Sequence, residues 1–263
     1  MCRAFPGTHG LGRLRSNQVS CDLVATRRRG SVNTESVDDY LKAILELSGP
    51  EEKRVASNTL AQQLGVRAAS VTGMVKKLAA QRPSFVKYER HHGVRLTRAG
   101  KTRALEVLRH HRLLERFLHD CLDYTWDEVH EEAERLEHFI SEKLEDRIAA
   151  KVSDPQTDPH GHLIPERSGA VPQREEILLP KWACGVRAVI SSVSDRDPSR
   201  LREMERLGLR PGVSIVVEAG VRSASLLVRI GGHTSSLRLS HELAGEISVV
   251  PDGSVIVAPK TQA

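Results

Sequence analysis

The chain has 263 residues, 39% of them hydrophobic and 28% charged, with 39 Lys/Arg against 34 Asp/Glu. That is a globular balance over a length suited to one to three domains. No apolar run approaches the ~18 residues of a membrane span, and the Arg-studded first thirty residues lack the apolar stretch of a secretory signal. The four cysteines (Cys2, Cys21, Cys121, Cys184) form no CxxC pair. This points to a reducing cytoplasm and excludes a cysteine zinc site.

Charge is uneven. Residues 1–34 carry six Arg against one Asp, residues 35–98 eleven Lys/Arg against seven Asp/Glu, and residues 99–170 ten against sixteen. A basic part followed by an acidic one suits an anionic partner first and a cation second, with solvated surface as the plain alternative. Residues 1–34 show no apolar periodicity and read as a disordered basic extension. From Glu35 the pattern becomes helical: Val37, Tyr40, Leu41, Ile44, Leu45 and Leu47, ending at Ser48-Gly49-Pro50. A short helix capped by Ser57 and closed at Gly65 leads into a second over Ala68–Ala80, with Val71, Met74, Val75 and Leu78 inward; two short helices across a glycine turn form a helix-turn-helix. Phe85–Arg90 and Gly93–Thr97 alternate as two strands around His91-His92-Gly93, the wing of a winged helix.

One long helix is expected from Arg98 through Cys121 and another from Asp127 to Lys151; residues 154–172 read as loop. From Arg187 the period shortens to that of strands, with one helix over Ser199–Leu207, as in a small barrel. The chain therefore divides into the extension 1–34, a winged helix-turn-helix 35–98, a helical domain 99–170, a linker 171–184 and a β domain 185–259. The fold class is mainly α with a small β domain.

A helix that enters the major groove must offer short polar or basic side chains near its N-terminus. Arg67, Ser70, Thr72, Lys76 and Lys77 are the outward positions of the second short helix, and Arg90 sits at the wing; Arg67 and Thr72 suit bases, Lys76, Lys77 and Arg90 phosphates. In the acidic part, His130, Glu134, Glu137 and His138 stand at i, i+4, i+7 and i+8, one stripe of a helix. Several acceptors on one stripe repel unless a cation sits among them. His111 and Glu115 form a similar pair one helix earlier. An exposed acidic face is the competing reading. A di-iron enzyme needs Glu-x-x-His from two helices, whereas Glu134 and His138 are four apart, and no P-loop, dinucleotide motif or nucleophile elbow is present. No enzymatic activity is expected.

Four stretches carry a resemblance: Val37-Asp38-Asp39-Tyr40-Leu41, Ala69-Ser70-Val71-Thr72-Gly73-Met74-Val75, Arg109-His110-His111-Arg112-Leu113-Leu114-Glu115 and Val129-His130-Glu131-Glu132-Ala133-Glu134-Arg135-Leu136-Glu137-His138. With Asp158-Pro159-His160-Gly161 and Ile164-Pro165 they resemble the DtxR/MntR family of metal-dependent transcriptional repressors, from about Val37 to Val250. The resemblance implies a winged-helix domain, a helical dimerisation and metal domain, and a C-terminal SH3-like (FeoA-like) module. It implies a regulatory site of Asp39, Glu134, Glu137 and His138, and a second of His111, Glu115 and His130, with Asp158 and His160 as additions and Asp195 as a further candidate. Iron-type members carry Met and Cys where this chain has Asp39 and Glu134, and carboxylates in place of sulfur suit Mn²⁺. Lys42 stands where a manganese-type relative has a further acidic ligand, which argues against two closely spaced ions. The implied protein is a cytoplasmic homodimer that binds a palindromic operator on double-stranded DNA in response to Mn²⁺ and represses metal-uptake genes, away from any membrane. A response to Fe²⁺, another divalent metal or an organic ligand, or activation at some promoters, are the alternatives.

Overall fold

The computed structural model describes residues 34–221, 225–231 and 235–253. The basic extension lies outside them except for Thr34, which opens the first helix, and residues 254–259 of the expected β domain also lie outside.

Helix α1 (Thr34–Ser48) buries Val37, Tyr40, Leu41 and Ile44. Helices α2 (Ser57–Gln63) and α3 (Ala68–Ala80) follow, with Gly65 at φ +63° between them. The N-cap of α2 is Ala56, with no side-chain cap, so Ser57 is the first helical residue and not the cap its type suggests. Strands β1 (Val86–Glu89) and β2 (Gly93–Leu96) pair antiparallel as the wing. Val55 bridges to Val94 with hydrogen bonds of 2.8 and 2.9 Å. Gly93 is required there: its φ is +91°, and a Cβ would lie 2.4 Å from the Val55 carbonyl oxygen.

Thr97 caps α4 (Arg98–Leu122), accepting from the Gly100 amide at 3.2 Å. This 25-residue helix packs against α1, where Arg103 grips Asp38 with two bonds of 2.8 Å. Asp38 is buried, so the pair fixes the rotation of α1 on α4. The expected helix from Asp127 to Lys151 is instead two, α5 (Val129–Leu136) and α6 (Glu142–Ala149). Ser141 supplies the reason for the break, since its side chain accepts from the Leu144 amide and starts α6 afresh.

The last part is a six-stranded antiparallel sheet in the order β3-β8-β4-β5-β6-β7. Its strands are β3 (Ile177–Leu178), β4 (Arg187–Val193), β5 (Ser214–Val221), β6 (Ser225–Ile230), β7 (Ser236–Ser240) and β8 (Ile247–Pro251). Helix α7 (Pro198–Arg206) follows β4 and a short α8 (His241–Ala244) precedes β8. One core joins Ile190, Leu201, Met204, Ile215, Val228 and Val249. The segment read as a linker is structured at its end: Ile177 and Leu178 pair with Val249 and Ser248, and Leu179 is fully buried. Two strand residues are too short a run for periodicity to show.

Candidate metal centre

Asp39 projects from α1, while Glu137 and His138 follow the last turn of α5. Glu137 keeps helical dihedrals as the C-cap, which is why the expected stripe continues past the helix end. Donor atoms of Asp39, Glu137 and His138 lie within 4.8 Å of one another. His138 Nε2 is 3.0 Å from Asp39 Oδ1 and 3.7 Å from Glu137 Oε1. Burial pushes the Asp39 carboxyl up, partly offset by His138, and leaves it above the ordinary carboxylate value. Glu134, the fourth member implied by resemblance, is not in this cluster. Its Oε1 accepts from Lys42 Nζ at 2.8 Å, and its side chain is 49% exposed.

His111, Glu115 and His130 form a second cluster. Glu115 Oε1 lies 3.0 Å from His111 Nε2 and 3.2 Å from His130 Nδ1. Glu115 is fully buried, and burial would raise its pKa; the charge of His111 and hydrogen bonds from His111 and His130 reverse this and hold it well below the usual range. His111 is also buried, which would lower its pKa, yet Glu115 and Glu137 push it up to about 10.

The loop that carries Asp158 and His160 completes the far side of Glu115. Its shape is dictated by α4: Arg109 donates to the Pro165 carbonyl at 2.7 Å, Arg112 to Leu163 at 2.5 Å, and Arg116, fully buried, to Thr157 and Asp158 at 2.8 and 2.6 Å. Asp158 Oδ1 accepts from the amides of His160 and His162 at 2.8 and 2.9 Å and folds the loop tightly on itself. His160 Nε2 donates to the Trp126 carbonyl at 2.7 Å, which turns Nδ1 toward Glu115 Oε2, 3.8 Å away. Asp195, after β4, comes within 3.8 Å of His130 and 3.6 Å of His162. Glu115, His160 and Asp195 form one group of matching donors, and Asp158, His160 and His162 another. His162 is the residue that sequence reasoning left out; the only signal was its place in the alternation Asp158, His160, His162.

The donor set fits a divalent cation. Four of its buried atoms, Glu115 Oε2, Glu137 Oε1, His138 Nδ1 and His160 Nδ1, make no hydrogen bond. An unsatisfied buried polar atom is costly; Glu115 Oε2 and His160 Nδ1 face one another at 3.8 Å and Glu137 Oε1 faces His138 Nε2 at 3.7 Å, while His138 Nδ1 lies 3.6 Å from Asp38. None of the clusters contains cysteine.

The candidate DNA-contacting residues sit on α3, at its start and on the wing. Ser70, Lys76 and Lys77 are exposed on α3, Arg67 precedes it, and Arg90 is exposed at the wing tip. Thr72 is half-buried and turns its hydroxyl back to the Ala68 carbonyl at 3.1 Å.

A winged helix joined to a helical domain with His/carboxylate clusters, followed by a small antiparallel SH3-like domain, defines the class of metal-dependent winged-helix repressors. Family comparison narrows this further. The iron dependent repressor N-terminal DNA binding domain matches residues 33–94, its metal binding and dimerisation domain residues 97–166, and the FeoA domain residues 178–251. The chain belongs to the iron-dependent repressor family. It is 29% identical over 230 residues to the iron-dependent repressor IdeR of Mycobacterium leprae, covering 82% of this chain and 96% of that protein. Among solved structures it is similar to a manganese-dependent transcriptional repressor in complex with manganese (TM-score 0.76, 36% identity, 82% of this chain and 99% of that one). It is also similar to the manganese regulator SloR (TM-score 0.67, 31% identity, 82% and 98%).

Proposed function

We propose that the chain is a Mn²⁺-dependent DNA-binding repressor, active as a homodimer on a palindromic operator, with no enzymatic activity. The single observation that carries this reading is Asp39 standing 3.0 Å from His138. Asp39 belongs to the first helix of the DNA-binding domain, and His138 to the domain matched as metal binding and dimerisation. When bound, a divalent ion supplies the charge that lets Asp39, Glu137 and His138 stay together. These residues then tie α1 to the end of α5, and Arg103 with Asp38 carries that position on to α4. Two recognition helices held in this way by a dimer suit successive major grooves about 34 Å apart.

Oxygen and imidazole donors without sulfur suit Mn²⁺, and because Zn²⁺ or Cu²⁺ bind such donors more tightly by the general order of affinities, activation by Mn²⁺ depends on geometry and not on affinity. The resemblance to manganese-dependent repressors supports the same choice. We assign Asp39, Glu137 and His138, joined by Glu134 once it leaves Lys42, to one centre. His111, Glu115 and His130, with Asp158, His160 and Asp195, make the other. Arg67, Ser70, Thr72, Lys76, Lys77 and Arg90 meet DNA.

The test is DNA binding by fluorescence anisotropy, with an operator selected from random duplexes in the presence of Mn²⁺. Binding is expected to require Mn²⁺ in the wild type and to be lost in Glu137→Ala. Full Mn²⁺-dependent binding by the variant would remove the site assignment.

A further inference from the structure

Lys42 lies between the two centres, and its position is that of an ion. Its Nζ is 2.8 Å from Glu134 Oε1, 2.8 Å from Glu137 Oε2 and 3.1 Å from His111 Nδ1. Those same three residues, His111, Glu134 and Glu137, have donor atoms within 4.8 Å of one another and form a metal-type cage of their own. The Lys42 side chain is 8% exposed, and the Glu137 side chain is fully buried. Lys42 follows Asp39 by three residues on α1, so the helix that sends a ligand to one centre also sends a positive charge to the space between the two. His111 is common to the cage and the second centre, and Glu137 to the cage and the first.

We propose that Lys42 is a tethered cation that fills the His111–Glu134–Glu137 cage, excluding a metal ion from it and keeping the two centres as separate single-ion sites. Two consequences follow. Glu134 and Glu137 stay together around Lys42, because the ammonium screens one from the other. Glu134 reaches the Asp39 centre only by exchanging its bond to Lys42, so the same lysine also ties α1 to α5. The proposal rests on the metal-centre reading above and extends it to a residue that is itself no ligand.

The experiment is equilibrium dialysis against Mn²⁺ alone, with elemental analysis of ions per chain and electron paramagnetic resonance of the bound Mn²⁺, on wild type, Lys42→Glu, Lys42→Met and Lys42→Arg. Lys42→Glu is expected to bind one more Mn²⁺ per chain than wild type, with a spectrum broadened by coupling between neighbouring ions, while Lys42→Arg keeps the wild-type number. If Lys42→Glu fails to fold without metal, Lys42→Met decides. It is expected to melt lower than wild type in chelator, to recover on adding Mn²⁺, and to take the additional ion. The wild-type ion number and uncoupled spectrum in every folded variant would overturn the proposal. Absence of bound Mn²⁺ from the wild type would instead overturn the metal-centre reading itself.

Discussion

Glu137 faces both clusters at once, with Oε2 2.6 Å from His111 Nδ1 and Oε1 3.7 Å from His138 Nε2. A buried carboxylate in that position is tolerable only among cations, and in the metal-free chain these are Lys42 and a protonated His111. This sets a pH dependence. The His111 pKa is raised from 6.5 to about 10, so its contribution to metal-free stability is complete below about 6.5 and is lost as pH climbs through 10. Thermal melts in chelator are therefore expected to show a melting temperature that falls between about pH 7 and 10, and falls less in His111→Gln. An identical slope in the two proteins would contradict the assignment. At this scale the sequence was legible where spacing on a helix carries chemistry: His130 and Glu134 stand on α5, Glu137 at its C-cap and His138 just beyond, and each belongs to a His/carboxylate group. The partner each side chain chooses was not legible. Glu134 goes to Lys42 because a buried ammonium 2.8 Å away outbids a shared acidic cluster, and nothing in i, i+4 spacing encodes a residue 92 positions distant.

Helix α4 organises the neighbouring elements. Its arginines 109, 112 and 116 are spaced so that one face reaches the Thr157, Asp158, Leu163 and Pro165 carbonyl groups of the loop over 157–165, and this holds His160 and Asp158 against Glu115. Gly161 lets the loop pass over β4: its φ is +89°, and a Cβ would lie 2.1 Å from the Ser191 carbonyl oxygen. Gly161→Ala is expected to cost about 2 kcal/mol or more. It should also weaken ion binding at the Glu115 centre while sparing the Asp39 centre, as read by calorimetric titration with Mn²⁺. Equal loss at both would show that the loop does not serve one centre alone. Elements with strong periodicity, α1, α3, α4 and the strands from Arg187 onward, follow the sequence pattern closely. The break between α5 and α6 does not, because Glu137–Ile140 have helix-compatible composition and only the Ser141 cap, paired with a tertiary role for His138, ends the run. The β3 strand was hidden for another reason: its two residues are defined by pairing with β8, some seventy positions later.

The whole molecule leaves Leu136, Phe139 and Leu144 exposed around that break, Phe139 by 70%. These residues lie in the domain matched as metal binding and dimerisation. Exposed large apolar side chains in a domain of this kind suit an interface, and the Phe139→Asp, Leu144→Asp double variant is expected to elute as a monomer in light-scattering chromatography and to lose operator affinity at least about tenfold, since a single half-site forfeits the paired contact. An unchanged dimer would place the interface elsewhere. The coupling between ion and DNA required of such a dimer is modest, about 1–3 kcal/mol per site. A tie between α1 and the end of α5 can supply it by restricting motion, without any remodelling of the fold. The account depends most on that tie. Anomalous scattering at the manganese edge from crystals soaked in Mn²⁺ tests it most directly: the expected result is a peak bounded by Asp39, Glu137 and His138, and the contradicting result is those three side chains directed apart with no peak among them.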